Sequence, residues 1–231
     1  MFYFCACKNT GFNNSMQKNY MPLFFQKNIT ADTKLAIWHI KEEECFFTGK
    51  VLLQNRVYHP HKRLQHLAGR YLLGFLFPEF PHDEILIADT RKPYLKSDAF
   101  HFSISHCGDY AAAIVSQTNR VGIDIEMFRD KVLKLKHKFL NEAEVSFVEY
   151  SEDEKKMLTT LWSAKESVFK WWSYGGVDFS EHILIQSFFL QPEGRFDASF
   201  SKDGKHFPMQ INYKLFEELS LTYVITNGKY H

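Results

Sequence analysis

The sequence predicts an α+β fold, and three observations carry that reading. Residues 59–77 and 154–172 place apolar side chains near helical spacing. Several shorter segments, rich in aliphatic and aromatic residues between turn signals, read as strands. Strands and helices occur in the first half of the chain and again in the second, which permits two similar α+β lobes. A chain of 231 residues has room for both. The seam falls near Thr118-Asn119, giving an N-terminal lobe over 21–118 and a C-terminal lobe over 119–231.

In order along the chain, the first helix spans 59–77. Leu64, Leu67, Leu72, Leu73 and Leu76 lie on or near one face. Pro60 suits its first turn and Pro78 stops it. The stretch ADTRKPY, 88–94, is turn chemistry ahead of a proline. FHFSISH (100–106) and YAAAIVS (110–116) read as two strands joined through Cys107-Gly108-Asp109, and RVGIDIEM (120–127) as a third. Asn141 with Glu144 three residues later has the form of a capping box before a helix over 142–150. The helix over 154–172 is expected to end at Gly175-Gly176. The last third reads mostly as strand, at 183–189, 207–216 and 220–226.

Composition excludes several classes. Twenty-eight basic residues stand against 27 acidic ones, so the chain is neither a disordered acidic protein nor a nonspecific nucleic-acid binder. The 23 phenylalanines are core and interface material. No apolar run approaches the ~20 residues that cross a bilayer. The opening MFYFCAC is too short for a signal sequence and lacks basic residues before it. Met16 and Met21 offer alternative starts, so 1–20 is an uncertain segment. Cys5, Cys7, Cys45 and Cys107 form no CxxC pair and no zinc spacing, which reads as free thiols in a cytoplasmic protein. The Asn-x-Ser/Thr matches at Asn13 and Asn28 are then chance.

Four segments carry candidate chemistry. In VGIDIE, 121–126, strand alternation puts Val121, Ile123 and Ile125 on one face and Gly122, Asp124 and Glu126 on the other. Two carboxylates on one face need water, a basic partner or a cation, and hard divalent cations take carboxylate oxygens. A solvated polar face remains the plain alternative. In LWSAKESVFKWW, 161–172, helical spacing aligns Trp162, Glu166 and Lys170. These are either a surface Glu–Lys pair or, with aromatics around them, a buried functional face that meets Asp124 and Glu126. Ser105 and His106 end a strand where a loop can meet a ligand, and read as phosphate binders or as structural polar residues. Lys92 follows a turn, and His61, Lys62, Arg63 and Arg70 lie on or near the first helix, where any could meet a phosphate or water.

At these residues the sequence resembles the 4′-phosphopantetheinyl transferases. Their pattern, G-[IV]-D-[IV]-E followed by W-x-x-K-E-x-x-x-K, is matched by Gly122–Glu126 and by Trp162-Ser163-Ala164-Lys165-Glu166 with Lys170. A K-P turn and an S-H pair are matched by Lys92-Pro93 and Ser105-His106, in the same order. The likeness is clear over 90–176 and looser over 50–80. Its length resembles the long type that modifies surfactin synthetase. That type implies a monomer of two lobes about a pseudo-twofold axis, each a small antiparallel sheet on a long helix, with the active site in the cleft between.

The resemblance implies that the 4′-phosphopantetheine arm of coenzyme A moves to a serine of an apo acyl or peptidyl carrier protein, releasing 3′,5′-ADP. Asp124, Glu126 and Glu166 would hold Mg²⁺, with Mn²⁺ an alternative. Glu166, or a water beside it, would take the serine proton, and Lys170 would stabilise phosphate charge. Lys92, Ser105 and His106 would bind the phosphates or adenosine, and Lys62 and Arg63 the 3′-phosphate. The segment QNRVYHPHKR departs from the lysines that the long type often carries there. Another Mg²⁺-dependent phosphoryl-transfer enzyme and a non-catalytic coenzyme A or carrier-binding module are the alternative readings.

FRDKVLKLKHKFL, 128–140, sets Arg129, Lys131, Lys134, Lys136 and Lys138 against one acid, Asp130. Carrier proteins are typically acidic, so this segment is a candidate docking site. An amphipathic helix with solvated lysines is the plain alternative.

Overall fold

The computed structural model describes residues 22–227 apart from 52, 54, 55 and 91. The uncertain segment 1–20, with Cys5, Cys7 and Asn13, lies outside the described residues. The elements follow in order: β1 (Leu23–Asn28), β2 (Thr33–His39), α1 (Glu44–Thr48), α2 (Pro60–Leu76), β3 (Ile85–Ile87), β4 (Pro93–Leu95), β5 (His101–Cys107), β6 (Tyr110–Ser116), β7 (Asn119–Met127), α3 (Lys131–Leu135), α4 (Glu142–Glu149), α5 (Glu154–Trp172), α6 (Phe179–His182), β8 (Ile183–Ile185), β9 (Glu193–Lys202), β10 (Lys205–Leu215) and β11 (Leu219–Asn227). The fold is α+β, with small antiparallel sheets and helices packed on them.

One sheet has the order β1-β2-β6-β5 and the other β7-β11-β10-β9-β8, while β3 and β4 form a separate hairpin. Side-chain alternation sorts the core into layers. Ala36, Trp38, Ala111, Ala113 and Val115 face α2. From the same strands, Leu35, Ile37, Ala112 and Ile114 face the other way and meet Val121, Ile123, Ile125, Leu219 and Leu221 of the second sheet. The far face of that second sheet receives α5. β2 and β6 are therefore covered on both sides, which is why they read as near-continuous apolar runs.

α5 lies close to its sheet because small residues line the contact. A Cβ added at Gly122 would stand 2.0 Å from the Ser167 carbonyl oxygen. Two hydroxyl pairs, Thr160 with Ser220 at 3.2 Å and Ser163 with Thr222 at 3.0 Å, satisfy the polar groups buried there. At the far edge of the sheet an ion pair takes the place of a further strand. Lys165 and Glu144, both fully buried, stand 2.6 Å apart. Lys165 also donates to the Ile183 carbonyl, and Glu144 accepts from the Ile185 amide, each at 2.9 Å. A Lys–Glu pair so placed satisfies the open edge of β8 as a neighbouring ladder would.

The expected capping box is present: Glu144 N–H donates to Asn141 Oδ1 at 2.9 Å, and Asn141 N–H donates back to Glu144 at 3.1 Å. Three expectations are corrected. The strand expected over 183–189 stops at Ile185. The region ahead of 207 holds a further strand, β9. Its Phe196, Ala198 and Phe200 point inward at alternate positions, but the Gly, Asp and Ser between them resemble turn composition. The end of α5 lies at Ser173, which takes the left-handed conformation at φ 75°, ahead of Gly175 and Gly176. β1 and β2 are likewise additions to the sequence reading.

Candidate active site

The site forms where α5 crosses β7. Asp124, only 2% exposed, sits under the helix on the same strand face as Gly122. That corrects the picture of a solvated polar face: both faces of β7 are covered. Lys170 reaches down from α5 to Asp124 Oδ1 at 2.6 Å and to the Ser105 hydroxyl at 2.8 Å. Ser105 in turn donates to Asp124 at 2.7 Å. The ammonium, hydroxyl and carboxylate form a closed triangle. Earlier on the same helix face, Trp162 Nε1 donates to Glu126 at 3.2 Å. The expected Trp162–Glu166–Lys170 face is thus the one turned toward Asp124 and Glu126.

Three carboxyl groups share this space with one ammonium. Burial, then the Asp124 charge, push both Glu126 and Glu166 up to about 7. The second oxygen of Asp124 is buried without a partner. Among the described residues, no three His, Cys, Asp or Glu side chains form a ready metal-binding group. The donors nevertheless suit a hard divalent cation. All are carboxylate oxygens, one is orphaned, and two resist ionisation because of burial and the Asp124 charge, which a cation would offset. Mg²⁺ needs only one or two such groups when phosphates and water complete its shell.

Beside this cluster opens a cavity of about 660 Å³. Arg56, His66, Arg70, Lys92, His106 and Lys170 line it, among apolar residues such as Ile87 and Phe169. Among the described residues, no carboxylate lines it. Arg70 is the most unusual of these basic groups. It is 8% exposed, and burial alone lowers its pKa, with no acid opposing among the described residues. A buried guanidinium without a counter-ion is costly, and an anionic ligand would relieve that cost.

The remaining candidates divide. His106 lines the cavity, while its neighbour Ser105 turns to Asp124, as strand alternation requires. Lys92 lines the cavity wall and also caps α5, donating to the Lys170 carbonyl and the Ser173 hydroxyl. Burial, then Arg120 and Lys170, lower its pKa to about 7. Lys62 and Arg63 are not among the cavity residues. Arg63 pairs with Glu44 at 2.7 Å, and Lys62 lies exposed in the first turn of α2. In 128–140, Val132, Leu133 and Leu135 pack on the core, while Lys131, Lys134 and Lys138 are exposed. Sequence reasoning does not single out Arg56 or His66. Only the stripe Lys62, His66, Arg70, at successive i,i+4 positions of α2, signals the latter.

Fold and site together define an α+β protein with an acidic cluster beside a cavity lined by basic residues. The sequence profile of the 4′-phosphopantetheinyl transferase superfamily matches residues 120–224, the segment that carries the cluster. Over that segment the chain is similar to that superfamily. The 4′-phosphopantetheinyl transferase AcpT of Escherichia coli O157:H7 is 29% identical over 54% of this chain and 68% of its own length. The 4′-phosphopantetheinyl transferase gsp of Aneurinibacillus migulanus is 28% identical over 65% of this chain and 62% of its own. Enterobactin synthase component D of Salmonella typhi is 34% identical over 55% and 52% respectively. The matched stretch thus spans between half and about two thirds of these relatives.

Proposed function

We propose that this protein transfers the 4′-phosphopantetheine arm of coenzyme A to a serine hydroxyl of an apo acyl or peptidyl carrier protein, releasing 3′,5′-ADP. The observation that carries the reading is the cavity of basic residues opening beside the Asp124–Lys170–Ser105 triangle. We read 21–118 and 119–231 as two lobes about a pseudo-twofold axis in a monomer of the long type. One chain supplying two sheets, each with a long helix, supports that reading.

The cavity cations would bind the diphosphate and the 3′-phosphate. Arg70 and Arg56 take the role that the resemblance suggests for Lys62 and Arg63, because they line the space. The serine oxygen attacks the phosphorus that bears the pantetheine arm. A new P–O bond forms as the bond to the bridging oxygen breaks. The serine proton passes to Glu166, or to a water beside it. Lys170 neutralises charge on the leaving diphosphate oxygen. Ser105 fixes Asp124 and Lys170 rather than meeting the ligand directly. Mg²⁺ or Mn²⁺, held by Asp124, Glu126 and Glu166, would supply further charge neutralisation across the diphosphate. The exposed Lys131, Lys134 and Lys138, close in sequence after Glu126, would dock the acidic carrier.

The test is intact mass spectrometry of apo acyl carrier and peptidyl carrier proteins after incubation with the enzyme, coenzyme A and Mg²⁺. A gain of one phosphopantetheine, lost with EDTA and with Asp124→Ala, is the expected result. Phosphate products formed without a carrier, or coenzyme A binding with no gain on any carrier class, would overturn it.

A further inference from the structure

We propose that His66 is a phosphate-recognition residue of this cavity, neutral in the free protein and taking up a proton when a polyanionic donor binds. The inference rests on the reading that the cavity receives coenzyme A, and it adds a pH-dependent step to that reading.

The geometry begins with a pair of imidazoles. His66 of α2 and His106 of β5 meet edge to face, with ring centroids 5.2 Å apart. Both line the cavity and both present surface to it. The charged groups that act on His66, Arg70 and Lys62, are basic, and so are the titratable residues that line the cavity with it. Lys62 and Arg70 flank it on its own helix, and His106 opposes it from β5. Arg56 lies before α2, Lys92 on the β3–β4 turn and Lys170 on α5, all lining the same cavity. Asp109, on the β5–β6 turn, is bound by His61 at 2.9 Å. Among the described residues, no carboxylate is placed to draw a proton onto His66.

The physical consequence follows from charge. The cavity wall, then Arg70 and Lys62, hold the His66 imidazole below its ordinary range. Burial, then His66, lowers the His106 pKa to about 4, so charge on one ring disfavours charge on the other. A diphosphate among these cations reverses the local potential, and the charged imidazole becomes the favoured form. The proton comes from the buffer and settles on the ring nitrogen that meets a phosphate oxygen. Each proton taken up makes binding tighten by up to about tenfold per unit fall in pH.

Calorimetry of the full chain with coenzyme A, in metal-free buffers of different ionisation enthalpy, counts those protons. The 3′-phosphate of coenzyme A itself titrates near pH ~6. Dephospho-coenzyme A, whose diphosphate stays ionised, is therefore measured in parallel. Wild type is expected to take up protons with both ligands and to bind more tightly at pH 6 than at pH 8. His66→Gln should lower the uptake by the share of that imidazole and weaken the pH dependence, leaving the share of Lys92, Glu126 and Glu166 in place. His66→Lys, permanently charged, should bind at pH 8 nearly as wild type does at pH 6. Equal proton uptake by wild type and His66→Gln overturns the inference alone. Failure of coenzyme A to bind wild type at any pH, with Mg²⁺ as well as without it, overturns the coenzyme A reading, and this inference with it.

Discussion

Asp124 shows how much one buried side chain concentrates. It accepts from Lys170 and Ser105 through one oxygen and leaves the other unpaired. Replacing Lys170 by Met should abolish transfer while coenzyme A still binds, measured by carrier mass and by calorimetry. Arg70→Met should raise the KM for coenzyme A by about tenfold or more, the worth of a hydrogen bond to a charged group. Lys62→Ala should change it far less, because Lys62 lies outside the cavity lining. Glu126 and Glu166 predict a pH effect on stability. Their folded pKa values, about 7, lie above those of an unfolded carboxyl group. Between the two values the folded state binds more protons, so stability falls as pH rises through roughly 4.5 to 7. Mg²⁺ should therefore raise Tm more at pH 7.5 than at pH 5, and an equal rise at both would count against a metal here.

At the scale of elements, α5 is fixed at three places. Gly122 lets its second half approach β7. Lys165 ties it to α4 and β8. Lys92 and Arg120 cap its last carbonyls, Arg120 donating to those of Trp171 at 2.8 Å and Trp172 at 2.5 Å. Cations at a helix C-terminus also oppose its dipole favourably. Gly122→Ala should cost several kcal/mol in denaturant unfolding, since backbone rather than a flexible side-chain tip blocks the new methyl. Lys165→Met should cost about 3–5 kcal/mol, because Glu144 would keep a buried charge without its partner. Both elements were legible in sequence, α5 from its periodicity and α4 from its capping box. The clamp between them was not. Lys165 stands directly before Glu166 in a helix where a lysine ordinarily faces water, and only the approach of α4 and β8 buries it.

Across the whole molecule, two sheets share one apolar layer and a polar seam. The hydroxyls of Ser103 and Ser105 on β5 accept the amides of Ile123 and Ile125 on β7, at 3.2 and 3.3 Å. Side chains thus join strands that belong to different sheets. Ser103→Ala should leave the Ile123 amide unpaired and cost about 1–3 kcal/mol, with faster hydrogen exchange at Ile123 as the local readout. The carrier docking proposed for the exposed lysines of 128–140 is tested at the same scale. Reversing charge at Lys134 and Lys138 should raise the KM for an acidic carrier at low salt and leave coenzyme A affinity unchanged.

The sequence by itself determined the α+β class, the two long helices, the strand with alternating Asp124 and Glu126, and the helix face of Trp162, Glu166 and Lys170. Each depends on spacing along one element, and a periodicity of ~2 or ~3.6 survives in the letters. It took the fold to show that Ser105 bonds to Asp124 while His106 lines the cavity, that Lys92 caps α5, and that Arg70 rather than Lys62 or Arg63 lines the cavity. Those assignments depend on which side chains from distant elements converge. Burial and the absence of an opposing acid, which set Arg70 apart, arise only once the chain has folded.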